Sequence, residues 1–121
     1  MKSEAGQFFT SLREKLPGIK AFFLLGSGGE LLEHSAESSG LDIESVAAEY
    51  ATLLRIVQRT SRDTGMGGLQ EQILISPSAI VLAFHLPTDR FAVLLCSPDV
   101  QLGRLRYEVK RSLLYSSFSH L

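Results

Sequence analysis

The segment Ile19-Lys20-Ala21-Phe22-Phe23-Leu24-Leu25 is apolar at every position but Lys20, and that limits what the chain can fold into. Successive strand residues point to opposite faces, so a strand with one wet face alternates apolar and polar side chains. Here Ile19, Ala21, Phe23 and Leu25 are expected on one face, and Phe22 and Leu24 on the other. Such a strand belongs inside a sheet covered on both sides. The run Ala79 to Leu86 repeats the pattern. Together the two runs call for helices above and below one sheet.

The rest of the chain supplies them. From Glu4 to Leu16, Ala5, Phe8, Phe9, Leu12 and Leu16 recur every three or four residues, and Pro17-Gly18 stops the helix. Gly26-Ser27-Gly28-Gly29 reads as a turn, with Glu30 to His34 returning beside the first strand and a polar loop from Ser35 to Gly40. Asp42 can cap a long helix that runs to Thr64, where Gly65-Met66-Gly67-Gly68 breaks it. Leu69–Ser76, Ala79–Leu86 and Arg90–Ser97, joined by Ser-Pro-Ser and Pro-Thr-Asp turns, form a predicted antiparallel meander. Ser97-Pro98-Asp99 leads into a last helix with Leu102, Leu105, Val109 and Leu113 along one face, followed by a tail over 116–121 expected to fray. The order is α-β-β-α-β-β-β-α. The expectation is an α/β fold of the α+β type, with a five-stranded, mostly antiparallel sheet. The long helix lies on one face and the two terminal helices on the other. At 121 residues, 1–121 reads as a single domain.

Composition narrows the setting. A 45% apolar content is enough for a folded core and too high for a disordered regulator. Twelve basic against thirteen acidic residues leave a net charge of −1, which gives no broad attraction for nucleic acid or anionic lipid. Basic residues do cluster, at Arg55, Arg59 and Arg62 and at Arg104, Arg106, Lys110 and Arg111, as solvated helix faces commonly do. The single Cys96 lies in an apolar run, as a buried thiol in a reducing compartment would. No apolar run approaches the roughly 18–20 residues of a membrane span, and the N-terminal residues carry no signal-peptide pattern, so the expected location is cytoplasmic.

The long helix carries more apolar surface than one sheet face can cover. Ile43, Ala47, Tyr50, Leu54 and Val57 form a normal stripe for packing on a sheet, while Val46, Leu53 and Ile56 widen the apolar arc on one side. Each such side chain contributes about 1.5–3 kcal/mol when fully removed from water, which favours a second packing partner. A two-fold interface with another copy of the chain satisfies this. The neighbouring strand, with Gln70, Glu71 and Gln72, reads as a sheet edge, so the expected dimer interface comprises Val46, Leu53, Ile56, Gln70 and Gln72. Polar residues beside it, such as Glu49 and Arg59, are candidates for contacting a third party.

Catalytic patterns are missing. His34 and His85 are expected at strand ends and His120 in the tail, Cys96 has no basic neighbour to activate it, and no nucleophile elbow surrounds any serine. There is no Cys-x-x-Cys or His-x-x-x-His spacing for a metal. Gly26 to Glu30 lacks the Lys-Ser/Thr of a phosphate loop and leads into a strand. No enzyme activity, cofactor or metal is expected.

The motifs Leu16-Pro17-Gly18-Ile19, Ala21 to Leu32, Gln72-Ile73-Leu74-Ile75, Ala79-Ile80-Val81-Leu82, Phe91 to Leu95 and Leu102-Gly103-Arg104-Leu105-Arg106-Tyr107-Glu108, in this order and with the long helix between them, resemble a roadblock domain of the dynein light chain type. The resemblance runs from about Gln7 to Leu114 and is nearest to stand-alone prokaryotic members. It implies a homodimer joined through the long helix and its neighbouring strand, and a small Ras-like GTPase as partner. The family carries no invariant catalytic residue, so no arginine finger is implied for Arg55, Arg59 or Arg62. The turn Ser27-Gly28-Gly29 departs from the family's usual acidic residue before glycine. The leading functional expectation is a non-catalytic homodimeric platform that regulates the nucleotide state or hydrolysis of such a GTPase. A scaffold or light-chain-like adaptor without effect on GTP chemistry is the alternative, and a small-ligand sensor would need a cavity of at least about 300 Å³.

Overall fold

The structure, a computed structural model, describes residues 4–36 and 40–115. Three helices, α1 (Glu4–Lys15), α2 (Ile43–Asp63) and α3 (Leu102–Tyr115), enclose five strands: β1 (Ile19–Leu25), β2 (Leu31–Ala36), β3 (Glu71–Ile75), β4 (Ile80–His85) and β5 (Phe91–Cys96). The sheet order is β2-β1-β5-β4-β3 and every pairing is antiparallel. The two runs apolar on both faces, β1 and β4, are interior strands, whereas β2 and β3 are the edges.

One face of the sheet packs α1 and α3. There Phe8, Phe9 and Leu12 of α1 and Leu105 and Val109 of α3 close over Phe22, Leu24, Leu82, Phe84 and Leu94. Phe8 meets Phe22 edge-on at 5.7 Å between ring centroids, a favourable aromatic geometry. Lys15 reaches Glu108 at 3.5 Å and ties the two helices together. On the opposite face Ala47 and Leu54 of α2 pack with Phe23, Leu25, Val81, Ala83 and Val93.

The expected facing of β1 fails at its first residue. Ile19 packs with Phe22 and Leu24 against the terminal helices instead of with Phe23 and Leu25. The cause is a register shift: Ile19 pairs with Cys96 and Ala21 with Leu95, so Lys20 is an extra residue on β1. An inserted residue of this kind flips the strand's facing upstream of it. Strand limits also move. β2 extends to Ala36, since β1 offers pairing positions back to Ala21, so Ser35 and Ala36 belong to the strand and His34 lies inside it. β3 begins at Glu71, leaving Gln70 just outside, where its carbonyl accepts the His85 N–H at 2.8 Å. The side chain of Leu113, the tail 116–121 and His120 lie outside the described residues.

Helix α2 is fixed at both ends. The Asp42 carboxylate accepts from the Ser45 N–H at 3.2 Å and the Ser45 hydroxyl at 2.8 Å, and these bonds hold its pKa below the usual carboxylate value. Beyond Thr64 the chain turns through Gly65, whose φ is 80°, with Gly65 N–H donating to Arg62 O and Met66 N–H to Ser61 O. This is the Schellman arrangement, which requires a left-handed residue after the cap.

Candidate interaction surfaces of the long helix

The helical repeat divides α2 into three surfaces. Ile43, Ala47 and Leu54 are buried on the sheet side, with Tyr50 and Val57 half-buried beside them. Burial raises the pKa of Tyr50, whose ring lies 6.2 Å from that of Phe23.

The second surface holds Val46, Leu53 and Ile56. Val46 is half-buried against the core, Leu53 is half-buried, and Ile56 remains 50% exposed. Glu49 is exposed one helical turn from this flank. Edge strand β3 carries two further open apolar positions, Ile75 at 69% exposed and the half-buried Leu74 on the α2 face. Gln72 pairs with Ala83 and so shares that face. Its Oε1 is buried and receives no hydrogen bond from any described residue. Buried acceptors are nearly always paired, which makes this one a position where an incoming donor would be stabilised.

The third surface is a cleft of about 490 Å³ between α2 and the sheet end that carries the β1–β2 and β4–β5 turns. Leu25, Leu54, Ala51 and Phe91 line its apolar part, and Arg55, Arg59 and Arg62 stand along the helix wall. The facing wall is the turn Gly26 to Gly29, closed by Gly26 N–H to Glu30 O at 2.8 Å and Gly29 N–H to Gly26 O at 2.9 Å. Gly29, at φ 89°, lies so close to α2 that a Cβ there would stand 3.3 Å from the Ala51 methyl. Arg59, expected with Glu49 beside the dimer surface, is one helical turn from Ile56 and also lines this cleft. The meeting of the arginine row with the glycine turn is not apparent from either motif alone. The arginines' spacing of four and three residues was its only signal.

A second cleft of about 340 Å³ lies between α3 and the β3–β4 edge, lined in part by Leu82, Phe84 and Val109. Arg106 spans its side and makes two 2.7 Å hydrogen bonds to the Glu71 carboxylate, which lowers the pKa of Glu71 and raises that of Arg106. Both clefts exceed the size a small-ligand reading requires. Cys96 is buried, and burial pushes its thiol up to about 12. His85 pairs with Asp89 at 2.8 Å at the end of β4. Among the described residues no group of three His, Cys, Asp or Glu side chains is arranged to hold a metal ion. No helix among them is long and apolar enough to cross a membrane.

No protein-family model matches the sequence, and no curated protein matches it. Solved structures do match in shape. The gliding protein MglB from Thermus thermophilus superposes with a TM-score of 0.78 over 90% of this chain and 82% of that one, at 15% identity. An MglB described with a tetrameric arrangement gives 0.78 over 93% and 86%, at 14% identity. A Roadblock/LC7 domain from Streptomyces avermitilis gives 0.71 over 90% and 94%, at 19% identity. The chain therefore has a roadblock fold; at these identities the likeness is one of fold.

Proposed function

We propose that this chain, folded as a roadblock domain over 1–121, is a cytoplasmic, non-catalytic homodimeric platform that binds a small Ras-like GTPase and regulates its nucleotide state or hydrolysis. The observation that carries the reading is the juxtaposition on one side of the molecule of two incomplete features. One is the apolar flank of α2 at Val46, Leu53 and Ile56, with Ile56 still 50% exposed. The other is the open edge β3, with the buried, unpaired Gln72 Oε1 on its α2 face. A second copy would cover the flank and offer a pairing strand to the edge.

The dimer seam then comprises Val46, Leu53, Ile56, Gln70 and Gln72. The tetrameric arrangement of one MglB supports a self-associating role for the fold. Glu49 and Arg59, beside the seam, are the candidate contacts for the GTPase. No cofactor enters the reading, because the platform acts by shape and placement.

The test is binding of a small Ras-like GTPase from the same genome, loaded in turn with GDP and with a non-hydrolysable GTP analogue, together with single-turnover GTP hydrolysis. Binding that depends on the nucleotide, or a changed hydrolysis rate, supports the reading. Binding in neither state overturns it. Binding with unchanged nucleotide preference and rate would identify the adaptor role, which the open β3 edge also suits through strand addition.

A further inference from the structure

We infer that the cleft between α2 and the β1–β2 turn is a docking site for a short acidic peptide segment with apolar anchor residues. The inference does not rest on the GTPase reading. Arg55 and Arg62 lie across the helix from Val46 and Leu53, and Arg59 stands between them and Ile56, so most of the cleft faces away from the proposed seam.

The cleft carries a local surplus of positive charge. The whole chain carries −1, yet three exposed arginines stand on one wall. None of the three guanidinium groups makes a hydrogen bond or ion pair with a described residue. Asp63 and Asp89 also line the cleft, which leaves the arginines in excess by one charge, and the Asp89 carboxylate is already bonded to His85. The floor is apolar, built on the buried Leu25 and Leu54 and the half-buried Phe91.

This combination suits a peptide better than a phosphate or a nucleotide. The amides of Gly26 and Gly29, which could otherwise face an oxyanion, are used within the turn. The Glu30 carboxylate lies across Gly26 and Gly28 and keeps anionic groups off the turn, so the carboxylates of a bound segment belong at the arginine wall and its apolar side chains toward the floor. Gln58, the neutral polar side chain on the helix wall, has its Oε1 taken by the Leu69 N–H at 2.5 Å. Of the neutral polar side chains on the lining, the Gln58 amide nitrogen and the exposed Ser27 hydroxyl remain, few for fixing both a base and a sugar, and small-molecule sites depend on several such groups.

Spacing gives the pattern of the segment. Arg55, Arg59 and Arg62 rise along the helix by about 6 and 4.5 Å at 1.5 Å per residue. Alternate side chains of an extended peptide stand about 6.5 Å apart and point to one side, with the intervening ones pointing to the other. An acidic–apolar–acidic–apolar–acidic segment therefore sets its carboxylates against the guanidinium row, where each pair can be bidentate, and its apolar side chains on the floor.

The test is fluorescence anisotropy of the full chain with a fluorescein-labelled peptide Ser-Glu-Leu-Glu-Leu-Glu-Ser. Two comparison peptides carry Gln for Glu or Ser for Leu, and GTP and inorganic phosphate serve as competitors. The account predicts saturable binding that weakens with added salt and is lost with either comparison peptide. Replacing Arg55→Gln, Arg59→Gln and Arg62→Gln weakens it about two- to fivefold each, the usual range for exposed charge pairs, and more than tenfold together. The three arginines are exposed, so an unchanged circular dichroism spectrum verifies the fold. No saturable binding, equal binding by the Gln peptide, or unchanged affinity in the triple variant overturns the inference. Displacement by GTP or phosphate at concentrations below that of the peptide also overturns it, in favour of a small-anion site. GTPase binding is scored separately with the wild-type chain, so failure of either proposal is visible without the other.

Discussion

Gly29 is where the cleft wall meets the long helix, and replacing it with alanine separates two costs that the structure allows to be worked out in advance. The first is conformational. Gly29 has φ 89°, and holding an alanine in the left-handed region costs about 1–2 kcal/mol. The second is contact. The new methyl would stand 3.3 Å from the Ala51 Cβ, closer than two methyl groups normally approach. Ala51 is part of the helix backbone's own surface and cannot rotate away, so α2 must shift, at an overpacking cost of about 1–3 kcal/mol. Gly65 provides the matched control: its φ is 80°, and a Cβ there meets nothing within 4 Å. Gly65→Ala thus reports the backbone cost alone, about 1–2 kcal/mol, and Gly29→Ala about 2–5 kcal/mol. Urea unfolding at fixed protein concentration measures both. Adding Ala51→Gly to Gly29→Ala restores part of the contact cost, against about 1 kcal/mol for a glycine inside a helix. The reasoning is refuted if Gly29→Ala is no more destabilising than Gly65→Ala.

Two further outcomes follow from the titrating groups. Arg106 holds the Glu71 carboxyl below its ordinary value of 4.5, so the stabilisation is present above that value and disappears as pH falls through the lowered one. Glu71→Gln should lower the urea midpoint at neutral pH and converge with wild type once the pH has fallen below the lowered value; a gap that stays constant from neutral pH into acid contradicts the pairing. Cys96 is 1% exposed with its thiol pushed up to about 12, so it should resist a thiol reagent at mildly alkaline pH in the native protein and react fully in denaturant. Reaction at the unfolded rate without denaturant would contradict its burial.

Most of the architecture was legible because each element carried its own signal. The two-sided strands β1 and β4 placed themselves inside the sheet, and the capping Asp42 and glycine stop marked both ends of α2. The misplacement of Ile19 has a definite cause: the extra residue Lys20 depends on pairing with β5, and nothing in the β1 sequence announces it. The ends of β2 and β3 likewise depend on how far the neighbouring strand extends. For the site, the surplus apolar flank of α2 was readable from periodicity, because burial on one helix face repeats with a fixed angle. The cleft was not. It joins residues about thirty apart in sequence, and only the close approach of Gly29 to Ala51 brings the glycine turn beneath the arginine row.

The central claim is that the flank of α2 and the edge β3 meet a second copy of the chain, and sedimentation equilibrium of the wild type and of Ile56→Asp tests it most directly. Ile56 is 50% exposed in the single chain, so an aspartate there leaves the fold intact, whereas in the seam it would be a buried, unpaired charge. The account predicts twice the 13.3 kDa chain mass for the wild type and a single chain mass for the variant. A monomeric wild type, or a variant that sediments as the same dimer, would contradict it.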